Sequence, residues 1–583
     1  MVRSVDKAGL PLAIDPRKVC RQVNDLGWPM TEYPFDLGLY SRRVTTASET
    51  CQLWFDRGFN WLFGFNHEEA AVCFKNAIAA DPHCAMAHWG VAYAIGPNYN
   101  KTWKHFDEAE MPEMLSQARA ALVLARKTAA HASGVEQALV AALSERFQAD
   151  TAAADMAPWS DAYALAMRRV SQQFPEDLDV IALCVDAMMN RTPWLMWDLC
   201  EGVPNPDADT IECRQMLETQ IAGVRAVSGP FHPGIWHLYV HLMEMSPEPE
   251  KALRVADELR GLVPDAGHLE HMSTHIYVLC GDYQAVVAAN HAGIVADEKY
   301  LAYAGPMNIY TLYRVHNYHF KLYGAMFLGH YDAAMEAVAA LAETVPEEYL
   351  RWEYPRMANV VEGYLSIYVH AYIRFGRWQE LLGLTLPADR ETYAMTTAMV
   401  HYGRAVAHAV LGQIDAATSE QALFEAAIPN VPKQRYMHTV RCRDILAVGR
   451  EMLAGELLYR TGDFDRAFAH LRQAVVLEDA LPYDEPWGWM QPGRHALGAL
   501  LLEQGHFEEA AAAYRADLGL EQTVIRSNQH PNNIWALQGL YMCYLKMGET
   551  RLAAMIKPAL DIAQARADQT IQSSCFCARL AAE

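Results

Sequence analysis

Nine histidines fall between residues 232 and 319, and most recur at spacings that a helix folds onto one face. HLYVH places His237 and His241 at i and i+4, about 40° apart around a helix axis. HLEHMSTH keeps His268, His271 and His275 within about 60° of one another. HNYHF adds His316 and His319 at i and i+3. Histidine is a middling helix former, and Lys or Glu replaces it readily on a solvated face. Two imidazoles at i and i+4, by contrast, chelate one metal ion without bending the helix. A single pair also arises as two polar residues in a groove. Three on one stripe, beside Leu269, Met272 and Ile276, call for a shared partner, because a buried imidazole must find one.

All-histidine coordination favours copper or zinc over magnesium or calcium. Three histidines from each of two sources would build a coupled, oxygen-handling copper centre, whereas a mononuclear site needs only three or four rings. Glu244 and Glu270 are the candidate carboxylates, as a further ligand or as the catalytic proton acceptor. Coordination by either shifts the preference towards iron or manganese, and zinc would point to hydrolysis. His232 enters a helix ahead of Pro233, and His291 lies off the stripe. His67 follows Asn66, whose pairing with Glu69 as a helix cap accounts for that segment. A substrate face is expected in YDEPWGWMQPGRHALG, where Tyr483, Glu485, Trp489 and Arg494 suit a small polar or aromatic molecule. The bland reading is that the aromatics plug a gap between repeats while Glu485 pairs with Arg494. GPNYNKTW (96–103) and NRTPWLMW (190–197) have the same flavour.

The elements that must position these residues are helices. At 583 residues, 52% hydrophobic and 20% charged, the chain exceeds what one core normally serves, and its Ala-rich runs show no convincing strand. An apolar residue, Gly, a polar residue and an aromatic or aliphatic one recur at Gly281, Gly329, Gly376, Gly412, Gly462, Gly505 and Gly548. Each glycine ends one helix in a left-handed conformation before a second Ala-rich helix begins. An early unit, residues 53–96, has Leu62 and Gly64 at the turn, Ala70 and Phe74 on the second helix and Asp81-Pro82 at its close.

This pattern resembles the tetratricopeptide repeat. The later glycines stand 36 to 50 residues apart, mostly beyond the usual ~34, so insertions or longer helices separate the units. NHEEA, GPNYN, FHPGIWHLYVH, AGHLEHMSTHIY, HNYHF and YDEPWGWMQPGRHALG together look like a large histidine-rich branch of that superfamily, which implies a common site but no reaction. The expected fold is an all-α solenoid. Its expected parts are an irregular arm at 1–45 with Pro11, Pro16, Pro29 and Pro34, a histidine-bearing block at 46–322 and further repeats at 323–583. The rhythm breaks near 97–115, 190–235, 300–315 and 425–440, where sites tend to be built.

A charge of −22 disfavours nucleic acid, and no apolar run reaches the ~20 residues that cross a bilayer. The N-terminus lacks a secretion signal's apolar run, so a cytoplasmic location is expected. Twelve scattered cysteines without CxxC spacing read as reduced thiols. No phosphate loop, nucleophile elbow or dinucleotide fingerprint is present. The expected function is a copper-dependent oxidoreductase, with iron or zinc as alternatives, oxidising a small-molecule substrate with O2. The alternative is a scaffold binding protein or peptide partners, its histidines lining the groove.

Overall fold

The computed structural model describes residues 33–353 and 356–578. Helical hairpins follow one another along the chain, and all seven turn glycines hold positive φ, from 63° at Gly376 to 85° at Gly462. Only glycine adopts that conformation without strain. The hairpins Gly267–Cys280 with Tyr283–Ala304, and Thr311–Leu328 with Tyr331–Thr344, are typical. The architecture is a tetratricopeptide-like α-solenoid. Sheet among the described residues is confined to two short hairpins, Trp197–Asp198 with Val203–Pro204 and Tyr436–Met437 with Val440–Arg441. Both sit where the repeat rhythm breaks.

The first hairpin joins Glu49–Phe63 to His67–Ala80. Its left-handed residue is Phe65 (φ 55°), one place beyond Gly64. A side chain held in that region costs roughly 1 kcal/mol and marks a place the surroundings over-determine. Asn66 caps the second helix by accepting from Glu69 N, as expected, while the Glu69 carboxylate receives Tyr33 Oη–H at 2.7 Å.

Residues 33–45 run without helix along the repeats. Arg42 in that strap pairs with Asp177 and Asp179, and Asp36 N–H donates to Asp265. Pro11, Pro16 and Pro29 lie outside the described residues. The helix Thr311–Leu328 runs unbroken through the boundary expected at 322/323, and one hydrophobic core extends from Phe35 to Ile571. No division falls there, because the third histidine cluster sits mid-helix and its neighbours pack on both sides. Cys575 and Cys577, expected as thiols, are disulfide-bonded, and the other described cysteines are free.

The superhelix curls until its last repeats meet its middle ones. Trp535 Nε1–H donates to the Met326 carbonyl at 2.7 Å, and Asp568 accepts from the amides of Tyr331 and Asp332. This closure carries the 483–490 loop inward, against the histidine helices.

Packing around the helix Pro233–Met243 is tight enough to test. A Cβ added to Gly234 would lie 2.5 Å from the Phe63 ring. Gly234→Ala should therefore cost about 1–3 kcal/mol through overpacking, read by denaturant titration. It should also weaken metal binding, because the Phe63 carbonyl accepts from His237 Nδ1 and orients that ring.

Candidate metal centre

Three helices supply the histidines: Pro233–Met243, Gly267–Cys280 and Thr311–Leu328. Pro233 occupies the first turn of the first, where a missing N–H costs nothing. His232 caps it by accepting from Ile235 N, and its other nitrogen lies 2.9 Å from Asp179. His232 thus belongs to the strap's ion network. Gly281 closes the second helix.

Six of the seven expected ligands converge in two neighbouring triads, each buried. The ligand nitrogens of His237, His241 and His268 lie within 4.8 Å of one another, and those of His271, His275 and His316 do likewise. The triads adjoin: ring centroids are 6.0 Å apart for His268 and His271, and 6.1 Å for His241 and His275. Phe65 packs on all three rings of the first triad and Phe320 on all three of the second.

Outer contacts decide which nitrogen each ring presents. His237 Nδ1–H donates to the Phe63 carbonyl at 2.7 Å, leaving Nε2 bare and buried without a partner. His241 Nδ1 lies 2.9 Å from Glu244 Oε1, and its Nε2 is likewise without a partner. Asn290 Nδ2–H is committed to the Val286 carbonyl, so its Oδ1 faces His271 and accepts from Nδ1 at 2.7 Å. His271 Nε2 therefore carries a lone pair, and it stands 2.7 Å from His275 Nε2. His268 lacks a partner at both nitrogens, as does His316 at Nδ1. Burial pushes His237, His241, His268, His271 and His316 well below the ordinary imidazole value, with neighbouring histidines adding to the effect. Neutral rings with converging lone pairs are what a soft or borderline cation requires.

His275 joins this site to a carboxylate pair. Its Nδ1 lies 3.0 Å from Glu244 Oε2 and 2.6 Å from Glu485 Oε2, without the alignment of a hydrogen bond. Tyr483 Oη–H donates to Glu485 Oε1 at 2.7 Å. Desolvation raises the Glu244 carboxyl well above its usual range and Glu485 to about 7. A cation on His275 Nε2 would leave Nδ1–H to these carboxylates, the arrangement that orients histidine ligands in metal sites.

The remaining expected residues lie elsewhere. The His319 ring centroid is 6.5 Å from His316, outside both triads, and packs edge-on against Tyr364. Glu270 projects from the other side of its helix and accepts from Gly261 N at 2.6 Å, and burial lifts it to about 7. Trp489 is buried against His370 and Tyr402, and Arg494 pairs with Asp479. Of the proposed substrate face, Tyr483 and Glu485 thus reach the site while Trp489 and Arg494 do not.

Sequence reasoning passed over several residues the fold brings in. His438 stacks on His316 at 5.0 Å, its Nδ1 held 2.5 Å from Asp484. That histidine lies in an interruption of the rhythm, a usable signal. Tyr99 and Trp194, from the two loops singled out for their aromatics, come within 5.1 and 5.9 Å of the His241 ring. Asn290, and Phe65 beyond its turn, carried no local signal.

Neither a family model nor a curated relative matches the sequence. Among solved structures, a monomeric mutant of IFIT1 with m7Gppp-AAAA is similar over 93% of this chain and 99% of its own, at 13% identity and a TM-score of 0.34. Yeast Tom70 is similar over 88% of this chain and 98% of its own, at 11% identity and a TM-score of 0.27. The APC/C hetero-tetramer Cut9–Hcn1 is similar over 91% and 95%, at 12% identity and a TM-score of 0.22. Likeness at this level says nothing of the site. No described helix is long and apolar enough to cross a membrane.

Proposed function

We propose that the chain is a metal-dependent oxidoreductase whose two histidine triads each hold one copper ion and which oxidises a small molecule with O2. The observation behind this reading is the pair of buried triads, in which His237 Nε2, His241 Nε2, both His268 nitrogens and His316 Nδ1 have no partner while His271 Nε2 meets His275 Nε2, the rings pinned from behind by Phe63, Glu244 and Asn290. Left unpaired, each such nitrogen costs about 1–3 kcal/mol, a burden that a bound cation removes. Copper held by imidazoles supplies one-electron redox chemistry and O2 activation. This chain's own residues hold the rings neutral, exclude water with Phe65 and Phe320, and place Glu244 and Glu485 to take or return a proton beside His275.

Elemental analysis of protein purified without a His-tag tests the proposal. About two equivalents of copper per chain are expected, with an absorption spectrum that changes between air and anaerobic conditions. Zinc in the same amount would move the reading to hydrolysis. Iron would give weight to the group of Glu244, His275 and Glu485, whose ligand atoms also lie within 4.8 Å of one another.

A second reading, a partner-binding scaffold without catalysis, rests on the solenoid itself. It does not use the histidines as groove residues, since the six triad rings are buried. Metal-free protein that retains a partner after His271 and His275 are both changed to Ala would favour it.

A further inference from the structure

The first triad has a chamber beside it. A cavity of about 250 Å³ lies between the helices His67–Ala80 and Glu110–Thr128 and the segment leading into Thr311–Leu328. Its wall towards the metal centre is aromatic. Phe65 and Tyr313 both line it, and their rings lie 5.4 and 4.8 Å from His268. These two side chains touch both the cavity and the triad. The opposite end, at Glu113 and Gln117, is exposed.

The charges in this chamber do not balance. Lys101 is committed to Glu110 at 2.5 Å and lies over the Phe106 ring. His67 is held neutral by burial, at about 4, with Nδ1 bonded to the Ala94 carbonyl. Glu68 lines the cavity with its side chain exposed to the space there, and forms no ion pair among the described residues; the backbone of Ile309 and the more distant Lys101 are what ease its charge. A carboxylate on the wall of a recess, lacking a cation of its own, is a counter-ion for a ligand's. Tyr310 extends the aromatic wall, and aromatic faces favour both flat rings and cationic groups.

We infer that this cavity is the substrate chamber and that it takes a compact aromatic amine, its ammonium on Glu68 and its ring against Phe65 and Tyr313. The volume suits a metabolite of about ten heavy atoms, below the span of drug-sized sites. Calling the ligand a substrate rests on the proposed metal centre; its binding as an amine does not.

Calorimetric titration with 2-phenylethylamine, 2-phenylethanol and phenylacetate on the unmodified protein separates charge from shape. The amine should bind roughly tenfold or more tightly than the alcohol, with the carboxylate weakest. Glu68→Gln should remove most of that preference while leaving metal content unchanged. Equal affinity for the three compounds, or no binding of the amine, overturns the chamber's assignment. In copper-loaded protein the amine should also shift the visible spectrum. Binding without a shift would overturn the substrate role, and protein that takes up no added copper yet still prefers the amine would sink the metal proposal while sparing the amine site.

Discussion

Chelation of the metal should loosen the helices Pro233–Met243 and Gly267–Cys280 before other parts of the chain. Between them they contribute five of the six triad histidines, and without a cation His237 Nε2, His241 Nε2 and both nitrogens of His268 stay buried without a partner. An ion present at a thousand times its dissociation constant adds about 4 kcal/mol to whatever unit it clamps. In a solenoid that unit is a few neighbouring repeats, because each contacts mainly its neighbours. Amide exchange in these two helices should therefore quicken by about a thousandfold on chelation, while Phe507–Asp517, packed in a separate core, keeps its rate. Exchange that rises evenly along the chain, or nowhere, would count against a clamp at this place.

The same rings set the pH response. Below their ordinary value of 6.5, the unfolded chain binds protons at His237, His241, His268, His271 and His316 that the folded chain refuses. Metal-free protein accordingly loses stability at these rings as pH falls from 6.5. Glu270 and Glu485, each raised to about 7 from 4.5, act in the opposite sense, since the folded state keeps their protons between those values. Below 4.5 that offset ends and the loss steepens. Imidazoles already neutral in the fold need release no proton to take a cation, so metal should survive dialysis at about pH 5.

His271→Ala should strip the second triad and spare the first. The change deletes one ligand, leaves His275 Nε2 without the lone pair that faces it, and frees Asn290 Oδ1. Loss of an outer partner alone typically weakens binding 10–100-fold, so loss of the ligand should exceed about a hundredfold. Asn290→Ala should fall in the lower range, because the ring remains but its tautomer is no longer enforced. His319→Ala should leave metal content as it was, its ring lying outside both triads. Competitive titration against a chelator of known affinity, with elemental analysis, orders the three variants. If His319→Ala empties the site as fully as His271→Ala, the triads are drawn wrongly.

Much of this architecture was legible before any coordinates. Left-handed glycine followed by an aromatic is a local instruction, so the turns at Gly281 through Gly548 could be read one by one. Helical spacing alone put His268, His271 and His275 on one stripe, and His237 with His241. Position 319 misled because i and i+3 on a helix share a face only approximately. The 60° between His316 and His319 is enough to send one ring to the second triad and the other to Tyr364.

Which rings meet depended on tertiary structure. The sequence by itself determined a helical-repeat chain with imidazoles in register, because helix period, turn chemistry and apolar patterning act over a few residues. Only the curl of the superhelix decided that Glu485 would touch His275 from 210 positions away, that His438 would stack on His316, and that Asn290 and the Phe63 carbonyl would choose each ring's tautomer. Such contacts come from the packing of whole repeats, where small rotations accumulate from one hairpin to the next. No local signal encodes that sum.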